Sequence, residues 1–145
     1  VEVDGASIAT LSSSSDVWEK NEFRVRATSS TMTVSFEGTG TGTLRGGLID
    51  NVRVHKLVNE FYSENLVQNG SFEEQHNLSE NTFGHYSNLG PWKTDLSTTQ
   101  YPFKIVQQLS LFLLPFDRNK FLVLDTGHNS SAIQTIVTTA NKQYE

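Results

Sequence analysis

The residues best suited to chemistry in this chain are aromatic and polar. Trp92, Tyr86, Tyr101 and His85 lie in or beside a polar stretch from 60 to 100, with Asn88 and Asp95 close by in sequence. Sugar recognition asks for such a mixture. A flat indole or phenol ring covers the apolar face of a pyranose at low entropic cost, and amides and carboxylates take its hydroxyls. Large aromatics also fill cores. Trp18, which heads an alternating segment, reads as core.

Patterns that would signal catalysis fail one by one. Asp125-Thr126-Gly127-His128 contains the Asp-Thr-Gly of an aspartic protease. That chemistry needs a second Asp loop or a dimer partner, so that two carboxylates share one proton. The sequence holds no second copy. His55, His76, His85 and His128 lack metal-binding spacing, and no Gly-x-Ser-x-Gly occurs. Glu73 and Glu74 are adjacent, so in a strand they point to opposite faces and cannot flank one glycosidic bond. The expectation is a protein that is not an enzyme.

Composition narrows the partners. The net charge is −5, and the 11 basic residues are scattered rather than clustered. A nucleic-acid partner needs a concentrated Lys/Arg surface, so none is expected. Spanning a bilayer takes roughly 20 apolar residues. The longest apolar run, Leu109 to Phe116, is interrupted by Ser110 and Pro115, so membrane insertion is not expected either. No signal peptide is visible, and Val1 in place of Met points to a processed or excised segment. With no cysteine, disulfides, thiolate metal sites and Cys nucleophiles are excluded. Asn-x-Ser sequons at Asn69, Asn77 and Asn129 are candidate glycosylation sites, though a chain rich in Ser, Thr and Asn also produces them by chance.

The elements that must position these residues read as strands. Residues 22 to 27 alternate, with Phe23 and Val25 opposite Arg24 and Arg26; residues 31 to 36 alternate Met32, Val34 and Phe36 with Thr31, Thr33 and Ser35. Ala27-Thr28-Ser29-Ser30 reads as a tight hairpin between them. Asp4-Gly5 is a turn signal joining residues 1–3 to 7–11. Residues 38 to 47 hold five glycines among threonines and read as a loop. Further strands are expected at 48–57, 104–108, 120–125, 132–138 and 142–145. Residues 58–66 are compatible with a turn or two of helix. Many short strands between turns indicate an all-β, antiparallel β-sandwich or jelly roll spanning 1–145.

Several segments together resemble the galactose-binding-like β-sandwich superfamily, in particular carbohydrate-binding modules and bacterial cell-surface repeats. They are Asn65-Leu66-Val67-Gln68-Asn69-Gly70-Ser71-Phe72-Glu73, Gly90-Pro91-Trp92, Leu122-Val123-Leu124-Asp125, Ser131-Ala132-Ile133-Gln134-Thr135-Ile136, and Gly46-Gly47-Leu48-Ile49-Asp50-Asn51-Val52. The order is rotated: residues 1–57 resemble the closing half of a module and 65–145 the opening half. One compact unit and parts of two tandem modules, with a boundary near 58–64, are both consistent with that order.

The resemblance implies a structural calcium ion held by Asp50, Glu73 and carbonyls near Gly70, a demand that two carboxylates plus carbonyls can meet. It also implies an extracellular or cell-surface module that binds carbohydrate or mediates adhesion. Two alternatives are a structural repeat that contacts neighbouring copies and an ancillary domain of a glycoside hydrolase.

Overall fold

A computed structural model describes residues 1–12, 17–38, 47–58, 61–74, 78, 82–86, 88–94, 103–107, 115–124 and 131–145. The protein is all-β, with no helix among the described residues. In chain order the strands are β1 (Glu2–Val3), β2 (Ala6–Ser7), β3 (Val25–Arg26), β4 (Thr31–Glu37), β5 (Leu48–Ile49) and β6 (Leu57–Val58). They continue with β7 (Phe61–Tyr62), β8 (Thr82–Tyr86), β9 (Phe103–Gln107), β10 (Lys120–Val123), β11 (Ser131–Val137) and β12 (Gln143–Tyr144). One sheet runs β11-β4-β1-β2 and another β5-β10-β9-β8; β12 pairs β3, and β6 pairs β7.

The longest ladder is β4 against β11, antiparallel from Thr31↔Val137 to Glu37↔Ser131. Both segments alternate β-branched or apolar residues with polar ones, which is why they pair over their full length. Met32, Val34, Ala132 and Ile136 turn inward and are buried. Beyond this ladder the same two segments pair again, as β3 with β12. Between the two ladders the chains bend together. The Thr138 N–H and hydroxyl donate to the Ser30 and Ser29 carbonyls, and the Ala27 N–H donates to Lys142. One bent ribbon therefore serves two sheets.

This corrects the hairpin expected at Ala27–Ser30. β3 and β4 do not pair with each other; each pairs with a strand from the far end of the chain. Short polar residues suit a corner as well as a hairpin, and only the distant partner decides between them. The Asp4-Gly5 turn does form a hairpin, β1 to β2, with both residues at positive φ (51° and 77°). Two consecutive positive φ values match the right-handed twist of the flanking strands. The 48–57 segment is paired as strand only at its ends, because Asn51 at φ 52° breaks the extended backbone. Residues 57–58 and 61–62 pair as the antiparallel strands β6 and β7 instead of forming helical turns.

The sheets share one hydrophobic cluster. Ile105, Leu122 and Leu124 meet Met32, Ala132, Ile136, Val54, Tyr144, Phe72 and Trp92. Gln134, almost fully buried, imitates a strand edge: its Oε1 accepts the Gln68 N–H (2.8 Å) and its Nε2 donates to the Gln68 carbonyl (2.9 Å). Gln134→Leu would keep the volume but strip both partners from the Gln68 backbone. We expect it to lower unfolding free energy by about 1–2 kcal/mol in urea titration.

Candidate functional site

Asn65 to Glu74 folds into a tight turn against residues 50–54. The Val52 N–H donates to the Gly70 carbonyl at 2.9 Å. A Cβ on Gly70 would sit 2.0 Å from the Val52 oxygen, so only glycine permits this approach. Asn69 and Phe72 both adopt positive φ (48° and 58°). Asn tolerates that region, whereas for a bulky side chain it is strained. Phe72 is held there by burial and by its tilted contact with Trp92, 5.5 Å between ring centroids.

Asp50 and Glu73 converge on one turn. Asp50 accepts the Asn51 N–H on Oδ1 (2.7 Å) and the Asp117 N–H on Oδ2 (2.8 Å). Glu73 Oε1 accepts the N–H groups of Asn119 and Lys120, both at 2.7 Å, while Lys120 Nζ donates to the Glu73 carbonyl. Carboxylates from the two halves of the sequence thus clamp residues 116–120, where Arg118 has φ 62°. Burial pushes the Asp50 carboxyl from 3.8 up to about 6, outweighing the backbone N–H groups of Asp117, Asn51 and Phe116 that favour its charge.

Several of the oxygens named for calcium are engaged by backbone groups in this arrangement. Both Asp50 oxygens, one Glu73 oxygen and the Gly70 carbonyl already accept backbone N–H groups. Among the described residues no group of three or more His, Cys, Asp or Glu gathers to hold a metal ion.

Beside the clamp lies a polar cleft of about 360 Å³, lined by Asn51, Arg53, Asn69, Glu74, Asp117 and Arg118 among others. Its charges are of both signs, which suits hydroxyls better than an ion. The Asn69 Oδ1 accepts the Glu74 N–H, which fixes the orientation of the amide. Its buried Nδ2 is then left without a partner.

The aromatic candidates separate. Trp92 is 1% exposed, and its Nε1 donates to the Asn69 carbonyl at 3.0 Å. It is a core residue and offers no face to a sugar. Tyr86 is half-buried against the core, and burial raises its hydroxyl pKa. His85 and Asn88 are exposed, with the Asn88 Oδ1 engaged by the Gly90 N–H. Tyr101, Asp95, Asn77 and Asn129 lie outside the described residues. Of the sequons, Asn69 is described, and its side chain is buried in the folded chain.

One residue was missed. Phe83 is 53% exposed on β8, with the His85 ring 5.4 Å away and Lys104 Nζ 4.6 Å from its centroid. Phe83 and His85 are two residues apart, so in a strand they share a face. That period of two was the available signal. Comparisons with protein-family models, curated proteins and solved structures give no match.

Two outcomes test the clamp. Adding a chelator should leave the melting temperature unchanged if backbone amides alone hold the clamp; a fall of several degrees would place a cation there. By carbon-detected NMR, Asp50 should titrate near pH 6. Its folded pKa is raised, so the charged form disfavours folding above pH 6, and that penalty disappears as pH falls towards 4. Discounted for its half exposure, the effect is about 1 kcal/mol, read as the stability difference from Asp50→Asn across that window.

Proposed function

We propose that this chain is a non-catalytic carbohydrate-binding or adhesion module of the galactose-binding-like type, a β-sandwich or jelly roll of an extracellular or cell-surface protein. In this reading the rotated halves make one unit. The pairing of β4 with β11, β5 with β10 and β3 with β12 across the halves supports that.

The observation that carries the reading is the exposed face of β8 and β9. Phe83 presents an apolar ring on a strand, which holds it more rigidly than a loop would. His85 stands beside it and Lys104, directly opposite His85 in the ladder, reaches over one face of the ring, so that both can meet hydroxyls. An apolar plate flanked by a few polar groups is the chemistry that binds a sugar ring. The mixed polar cleft at Asn69 is a second surface with hydroxyl-binding character.

A glycan array tests this directly. We expect a hit whose affinity falls by about 1–2 kcal/mol, roughly tenfold, in Phe83→Ala with the melting temperature preserved. Full retention of binding in that variant, or no hit across plant, animal and bacterial glycans, would remove the reading. A structural repeat contacting neighbouring chains is the second reading. It is favoured by apolar residues exposed at strand edges, such as Val58 and Phe61.

A further inference from the structure

The sheet β5-β10-β9-β8 carries different groups on its two faces. Residues opposite each other in an antiparallel ladder share a face. Gly84, Ile105 and Leu122 fall on one side, and Ile105 and Leu122 belong to the core. On the other side His85, Lys104, Val123 and Leu48 form one row, running from β8 through β9 and β10 to β5. Phe83 stands two residues before His85 on the same strand, and therefore on the same face.

Phe83 is the apolar plate of this face, and donors gather at its rim. Lys104 Nζ lies 4.6 Å from the ring centroid, and the centroid of the His85 ring lies 5.4 Å from it. The quadrupole of the ring attracts the ammonium, so the charge is in place before a ligand arrives. Among the described residues Lys104 makes no ion pair; the pairs are Lys20–Glu22 and Arg24–Glu145. The rest of the row is hydrocarbon, with Val123 half-buried and Leu48 exposed. With Phe83 itself 53% exposed, apolar ring surface remains for a ligand.

This composition separates acidic sugars from neutral ones. A hydroxyl donates as well as accepts, so a bound hydroxyl asks for both kinds of partner. An ammonium brings three donors and no acceptor, an imidazole adds at least one donor, and Val123 and Leu48 add neither. The cleft at Asn69, by contrast, mixes donors with the carboxylates of Glu74 and Asp117. A carboxylate or sulfate ester only accepts, and its bonds to an ammonium are roughly twice as strong as those between neutral groups. The net charge of −5 repels a polyanion at long range, but at physiological salt that repulsion is screened beyond about 8 Å. Contact at the rim of the ring decides.

We propose that the outer face of β8 and β9 selects acidic glycans: a sugar ring packs on Phe83 and sets a carboxylate or sulfate at its edge against Lys104 and His85. The proposal rests on the carbohydrate-binding reading above and names the ligand class of that same surface. Both donors lie within about one ring width of the plate, so a single anionic group at the edge of the sugar can meet the two together.

The test is an array of matched neutral, uronate and sulfated oligosaccharides, read in chelator so that no cation bridges protein and glycan. We expect acidic members to bind at least about tenfold more tightly than their neutral counterparts. A preference for uronates or for sulfate esters identifies which group the face takes. Lys104→Gln should lower acidic binding about tenfold with the melting temperature preserved, and Lys104→Glu should lower it further. Lys142→Gln, on an exposed lysine outside this sheet, should change nothing. Raising the ionic strength about tenfold should weaken acidic binding several-fold. Equal binding of neutral and acidic members, or acidic binding that survives Lys104→Glu, would overturn the proposal and leave the carbohydrate-binding reading standing. No binding to any member would remove that reading and the proposal with it.

Discussion

The structure depends on a backbone constraint: one antiparallel ribbon, residues 25–37 against 131–144, must bend to serve two sheets. The bend is held by hydrogen bonds at Thr138, Ala27 and the Tyr144 hydroxyl, which accepts the Thr139 N–H at 2.7 Å. Everything inward-facing is aligned by it. Met32 and Ile136 reach the core from one arm, Tyr144 from the other. β1 pairs the edge of β4 away from β11, and Lys93 bonds reciprocally to Ile133 on the free edge of β11.

Around this ribbon the remaining segments are fixed by polar contacts at a few points. Gln134 holds residue 68, Trp92 holds the Asn69 carbonyl, and Asp50 and Glu73 hold the 116–120 turn. Each contact satisfies backbone groups that no strand ladder reaches. Burying an unpaired peptide group costs about as much as several good contacts return. That explains why Asp50 is kept charged-competent in a place where burial disfavours its charge.

Much of the local structure could be read from the sequence, because it is written in periods of two. Residues 31–36 and 132–138 alternate cleanly and form β4 and β11, and Asp4-Gly5 makes its turn. The failures occur where a distant partner decides. Ala27–Ser30 has hairpin composition and becomes a corner. Asp50 and Glu73 meet at one turn, a geometry that depends on where residues 116–120 arrive. Trp92 sits between Pro91 and a polar stretch, so its burial under Phe72 and Phe36 could not be inferred locally. Phe83 was passed over because its short strand lies within a stretch of loop-like composition.

The most direct measurement is native-state hydrogen exchange along the ribbon. The account predicts protection that continues from β4 and β11 through Ala27 and Thr138 into β3 and β12, with these amides opening together as one cooperative unit. Protection that stopped at the corner, leaving Val25 and Tyr144 to exchange independently of Met32 and Ile136, would contradict it.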